Sequence, residues 1–195
     1  MTSLQTVVCM GLVLAAAGCE SSPQGTWVAR VQGADAWLGV KVEGEDASAF
    51  VCGGVDNLAT HTRWMYGEPD GDEVTFEQDG VRLDAHLEVS SVTGNLTVQG
   101  QLFPIDMHLS VAKDLEGVYT GLDAGCRAGL IIVAPNEEGQ STARGAWCDD
   151  LGHMAQVTPV QPIELTEQGI AVEADTAIGF RNFFVEPVVP AELAP

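Results

Sequence analysis

Residues 74–87 read Val74-Thr75-Phe76-Glu77-Gln78-Asp79-Gly80-Val81-Arg82-Leu83-Asp84-Ala85-His86-Leu87, and this stretch decides the fold. Asp79-Gly80 is a strong two-residue hairpin turn, because the turns whose twist matches paired strands need residues that tolerate positive φ. Placing Gln78 opposite Val81 sets Phe76 against Leu83 and Val74 against Ala85 on one face. Glu77 then meets Arg82, and Glu73 meets His86, on the other. Apolar opposite apolar and acid opposite base is the pattern of a register fixed by one buried face.

Working outward, the same arithmetic applies at Gln99-Gly100. Pairing Val98 with Gln101 sets Leu96 against Phe103, Gly94 against Ile105 and Val92 against Met107, with Thr93–Asp106 and Ser91–His108 on the polar face. Pro104 lacks a backbone donor, so its strand is expected at an edge or locally bulged. Gly44-Glu45 closes a third hairpin, in which Val42 faces Ala47, Val40 faces Ala49 and Leu38 faces Val51. Its other face is half apolar, with Trp37 opposite Cys52 and Phe50 opposite Gly39. Either both faces are covered or one lines a cavity.

From Gly117 the pattern restarts. Gly25-Thr26-Trp27 has a counterpart in Gly117-Val118-Tyr119, Gly33 in Gly125, Leu38 and Val40 in Leu130 and Ile132, and Phe50-Val51-Cys52 in Ala146-Trp147-Cys148. This is a loose internal repeat of one β unit. After residue 150, short apolar stretches at 154–157, 163–165 and 170–172 precede a final run at 178–189 and a proline-punctuated tail at 190–195. Many short strands, Gly-rich turns and no helical periodicity predict an all-β fold, an antiparallel barrel or sandwich of short hairpins. Residues 25–189 read as one β domain, or as halves 25–110 and 117–189 meeting near 111–116.

The N-terminal segment reads differently. Residues 7–17 form an apolar run too short to span a bilayer and of signal-peptide length. It ends in Ala16-Ala17-Gly18-Cys19, which resembles the lipobox of bacterial lipoprotein precursors. The resemblance implies removal of residues 1–18, lipidation of Cys19 and a membrane partner reached through that anchor. Ala16 replaces the usual Leu, and no Lys or Arg precedes the run. Residues 20–24 form a tether spanning roughly 15–20 Å when extended. Glu20 is not the Asp that retains enterobacterial lipoproteins at the inner membrane, which favours the outer membrane, facing the periplasm.

The chain carries 8 basic and 28 acidic residues, a formal net charge of −20, and is 46% hydrophobic. That field repels phosphate backbones and anionic headgroups, so nucleic acid is not an expected partner. The hydrophobic content is that of a folded domain. With Cys9 in the leader and Cys19 acylated, Cys52, Cys126 and Cys148 remain. Export predicts one disulfide and one spare thiol. Between Cys126 and Cys148 lies a hairpin with its loop at 135–139, and pairing Ala134 with Gln140 brings these two Cys opposite one another. Cys52–Cys148 is the alternative bridge.

Candidate chemistry is thin. Ser110-Val111-Ala112-Lys113 fits Ser-x-x-Lys but follows a strand, where the motif needs a helix start. Gly139-Gln140-Ser141-Thr142-Ala143 is a distorted nucleophile elbow in an antiparallel setting. His61, His86, His108 and His153 are not spaced as metal ligands, and the acidic run Glu68-Pro69-Asp70-Gly71-Asp72-Glu73 is already a complete turn signal. The residues therefore predict no catalytic group, no cofactor and no metal.

Gly25-Thr26-Trp27 resembles the opening Gly-x-Trp of lipocalins, and Arg181 stands where a late Arg would pack on that Trp. The Thr-Asp-Tyr of that family is absent, and an opening aromatic that plugs the core is the favoured reading. The body also resembles a group of uncharacterised exported bacterial β proteins through Phe50-Val51-Cys52-Gly53-Gly54, Trp64 and Gly117-Val118-Tyr119, which implies β architecture and no activity. The expected function is a membrane-anchored envelope lipoprotein binding a small ligand or an envelope protein. The alternative is a periplasmic hydrolase using a carboxylate pair drawn from Glu73, Asp84 and Asp106.

Overall fold

The computed structural model describes residues 22–110, 115–133 and 142–193; Cys19 and the loop at 135–139 lie outside them. Fifteen strands follow in order: β1 Gly25–Val31, β2 Ala36–Glu43, β3 Asp46–Gly53, β4 Arg63–Gly67, β5 Glu73–Gln78, β6 Val81–Leu87, β7 Ser91–Val98, β8 Gln101–Leu109, β9 Gly117–Asp123, β10 Cys126–Val133, β11 Thr142–Cys148, β12 Met154–Pro159, β13 Leu165–Thr166, β14 Gly169–Thr176 and β15 Gly179–Pro187. A short helix, α1 Leu58–His61, interrupts them where no helix is expected from the sequence. It is a single turn that reverses the chain between β3 and β4.

The strands form two meanders. β1 to β8 pair neighbour to neighbour, and β8 returns to β1, giving an eight-stranded sheet in the order β4-β3-β2-β1-β8-β7-β6-β5. This barrel is closed except at a seam between β4 and β5. The second sheet runs β12-β11-β10-β9-β15-β14-β13, and an added β12–β14 pairing closes six of its strands into a barrel. The change of sheet falls between Leu109 and Gly117. The fold is all-β, and the choice between sandwich and barrel resolves to barrels.

Three of the predicted registers occur as read. Gln78 faces Val81 and Phe76 faces Leu83; Val98 faces Gln101 and Leu96 faces Phe103; Val42 faces Ala47 and Leu38 faces Val51. In each hairpin the period-2 alternation delivers one set of side chains to the barrel interior. Trp27, Leu38, Phe76, Leu83, Leu96 and Met107 fill the first barrel. Pro104 sits in the β7–β8 ladder opposite Asn95, while β8 meets β1 only at His108 and Leu109. Its missing donor therefore lies on a stretch with no second neighbour, as an edge position requires.

The hairpin that carries the disulfide has a different register from the one expected. Cys126 and Cys148 are bonded, with Cα atoms 5.5 Å apart. However, Leu130 faces Gly145 and Ile132 faces Ala143, one residue away from the Ala134–Gln140 alignment. The expected register would have turned Trp147 out of the second barrel. The observed one sends Trp147 inward with Leu130 and Ile132, because a one-residue slip exchanges the two faces of a strand. Cys52 is free and fully buried. The repeat survives in backbone geometry, since Gly33 and Gly125 occupy equivalent turns with φ of 79° and 78°.

The half-apolar outer face of β2 and β3 is covered by the second barrel. Val28, Trp37, Phe50 and Cys52 pack there against Val118, Ile131, Ala146 and Val188. The fit is reciprocal. A Cβ at Gly129 would lie 2.5 Å from the Phe50 ring, and one at Gly39 would collide with the Val118 methyl. Arg144 fastens the rim, donating to Asp35 Oδ1 at 2.6 Å with its guanidinium 5.7 Å from the centre of the Trp37 ring. Gln156 adds a hydrogen bond to the Gly53 carbonyl.

Gly129→Val should lower stability by about 1–3 kcal/mol, as overpacking of a filled core does, and the melting temperature by roughly 2–10 °C. An unchanged thermal melt would show that Phe50 does not press on Gly129.

Candidate functional site

Both barrel interiors are packed with side chains. In the second barrel, Tyr119, Leu130, Ile132, Trp147, Val172 and Val185 interlock. At one end of that barrel Asp123 accepts from Arg181 through both carboxylate oxygens, at 2.9 and 2.7 Å, and from Trp147 Nε1 at 2.8 Å. Arg181 thus serves Asp123, the acceptor it shares with Trp147 in the second barrel, and not Trp27 in the first. The Arg181 hydrogen bonds hold the Asp123 carboxyl below the usual range, against partial burial.

The three acids of the hydrolase reading lie on the outer wall of the first barrel. Glu73 faces His86, His86 faces Thr93, and Thr93 faces Asp106. Glu73 and Asp106 are therefore three strand spacings apart, about 14 Å along a convex surface. Asp84 sits in another row, accepting from Thr75 at 2.9 Å and from Arg82 at 2.9 and 2.6 Å. The Arg82 hydrogen bonds depress its pKa. No two of these acids face one another across a cleft.

The histidines divide. His86 Nδ1 is 3.0 Å from Glu73, and ligand-type atoms of Asp72, Glu73 and His86 lie within 4.8 Å of one another on the exposed wall. Among the described residues this trio could hold a cation. Two other histidines are more than solvated surface groups. His108 Nε2 lies 2.7 Å from Glu116, whose side chain is 1% exposed. His153 Nδ1 lies 2.8 Å from Asp149, whose side chain is 3% exposed. Burial works against ionisation of Asp149, yet hydrogen bonds from the His153 ring and from the amides of His153 and Leu151 outweigh it and lower its pKa. The first pair ties down the chain where it enters the second barrel, and the second closes the turn between β11 and β12; residues 111–113 of the Ser-x-x-Lys motif and 139–141 of the elbow motif lie outside the described residues.

Among the described residues, two recesses open on the outside. One, of about 300 Å³, opens at the β4–β5 seam and is lined by Trp64, Met65, Tyr66, Glu77, Gln78, Arg127 and Leu193. Trp64 is held there by stacking on Phe50, with ring centres 4.4 Å apart. A second groove, also about 300 Å³, lies against the wall of the second barrel and includes Leu122, Arg127, Phe184, Glu186, Val189 and Glu192. Arg127 lines both. The C-terminal stretch, with its 3₁₀ turn Pro190–Glu192, contributes to each. Sequence reading singled out none of Arg127, Leu122 and Phe184. Leu122 neighbours Arg127 across the β9–β10 ladder, but the turn to Phe184 exists only because β15 closes onto β9.

No family model, curated protein or solved structure matches this chain. Among the described residues, no helix is long and apolar enough to cross a membrane.

Asp123→Asn should destabilise the second barrel at neutral pH. A carboxylate with a depressed folded pKa stabilises above its unfolded pKa and loses that stabilisation as pH falls through the folded value. The gap between wild type and variant should therefore narrow on acidification below the usual carboxylate range. A gap in melting temperature that stays constant down to pH 2 would contradict the ion pair.

Proposed function

We propose that the chain is an envelope lipoprotein, anchored through lipid on Cys19, whose β body binds a partner protein or a small ligand and does no chemistry. The leader ending in Ala16-Ala17-Gly18-Cys19 carries the anchor half of this reading. The binding half is supported by one observation: both barrel interiors are filled, while two outer recesses share Arg127. Filled barrels leave recognition to the outer surface, and a rigid β scaffold presents fixed side chains there at little entropic cost. The acids of the hydrolase alternative lie on a convex wall and lend it no support.

The site of action is the membrane face of the envelope, with the outer membrane favoured by Glu20. β1 starts at Gly25, so the tether after Cys19 is short and the double barrel rides close to the bilayer. Acyl chains must supply the attachment, because a net charge of −20 is repelled by anionic headgroups.

Cys19→Ala should move the protein from the membrane to the soluble fraction, and intact mass of the wild type should show acylation. Wild-type protein that keeps Met1, or that begins at an unmodified residue, would end the lipoprotein reading.

A further inference from the structure

The outer wall of the second barrel departs from the alternation that its strands otherwise obey. On β15 the odd positions Phe183 and Val185 turn into the core, and the even positions turn out. A water-facing wall calls for polar residues there, yet Phe180 is 61% and Phe184 44% exposed. Phe184 lies opposite Ala171. On the other side, β15 pairs with β9 in a register fixed by Glu186 opposite Thr120. Continuing that ladder by two residues sets Phe184 beside Leu122, which is 72% exposed. The groove that both line also includes Val189, 42% exposed. Exposed apolar residues such as Val55, Val89 and Leu151 sit singly in loops or turns, whereas Leu122, Phe184 and Val189 line one groove. A contiguous apolar patch with a polar rim marks an interaction surface.

The rim is acidic. Glu173 lies opposite Asn182 and Asp175 opposite Phe180 on the same outer face, and Glu186 and Glu192 line the groove. Arg127 is the cation of the groove, donating weakly to the Glu192 carbonyl at 3.4 Å. We propose that this wall is a docking surface for a partner-protein segment that carries apolar side chains flanked by Lys or Arg. The inference rests on the binding reading above and names its partner class.

Charge selects this occupant over two others. A second copy of the chain would bring another −20 and the same acidic rim, and like charges juxtaposed across an interface disfavour that pairing. An anionic leaflet is repelled for the same reason. A basic segment is attracted by the whole field and then oriented by the rim, while the apolar strip supplies the contact that persists at high salt.

The test uses the full chain as purified and a fluorescently labelled eight-residue peptide of alternating Lys and Leu, with a Glu–Leu peptide as the charge-inverted control. The Lys–Leu peptide should bind, with hydrogen-exchange protection at 120–122 and 182–186. Phe184→Ser should weaken it by about tenfold, as truncation of a central apolar contact does. Glu186→Lys should also weaken it, more at low salt than at high. The Glu–Leu peptide should not bind. Leu122→Ser, at a more exposed position, provides the same test should Phe184→Ser fail to fold. Absence of Lys–Leu binding, equal affinity in the variants, or protection elsewhere would overturn the proposal. So would Phe184-dependent dimerisation in sedimentation, or Phe184-dependent binding to phosphatidylglycerol vesicles. Because Cys19→Ala leaves the wall intact, loss of docking with a working anchor defeats this inference alone.

Discussion

The fit of Phe50 into the notch over Gly129, mirrored by Val118 over Gly39, is the contact on which the rest of the molecule depends. Each barrel has its own filled interior, but the strands β1 to β3 and β9 to β11 are apolar on both faces. Left uncovered, Val28, Trp37, Phe50, Ile131 and Ala146 would form a large exposed patch on either barrel. Joining the barrels there buries those faces, brings Cys52 into a dry environment that pushes its thiol up to about 12, and fixes where the C-terminal chain must run. The recess at the β4–β5 seam is lined from both barrels, by Trp64 and Tyr66 on one side and Arg127 on the other. It exists only because the barrels are joined.

Closure limits where such a body has room for a ligand. A β sheet that closes removes its edges, and a narrow barrel fills with side chains instead of holding a ligand. The second barrel is of that kind, and the first is closed except at the β4–β5 seam, its interior filled likewise. In the binding reading proposed above, recognition then falls to outer walls, where most positions are polar and solvated. On β15, Phe180 and Phe184 occupy outward positions that period-2 alternation would assign to polar groups, and the other barrel does not cover them. The acids around it belong to the same excess that gives the chain its net charge of −20. The proposed partner segment, apolar and flanked by Lys or Arg, matches the apolar strip and the acidic rim together.

Much of the first barrel was legible in the sequence because its turns are short and unambiguous. Asp79-Gly80, Gln99-Gly100 and Gly44-Glu45 each pin a register, and one buried face then carries it along the strands. The disulfide hairpin was harder. Leu130, Ile131, Ile132 and Val133 are apolar on both faces, and the connection after Val133 is long, so neither alternation nor a turn chose between registers one residue apart. Burial of Trp147 decided it. Likewise, the apolar outer face of β2 and β3 was readable, but not what covered it. Arg127, Leu122 and Phe184 meet only after β15 returns to β9, a pairing between strands with five others between them in the chain. No local pattern announces such a pairing. The buried carboxylates of Glu116 and Asp149 were hidden in the same way, because only the fold covers them.

The surface between the barrels is a core in its own right. Differential scanning calorimetry of the oxidised full chain tests this most directly. The account predicts a single transition whose calorimetric and van't Hoff enthalpies agree, because neither barrel can keep its exposed apolar face once the other unfolds. Two separable transitions, each with the enthalpy of one barrel, would contradict it.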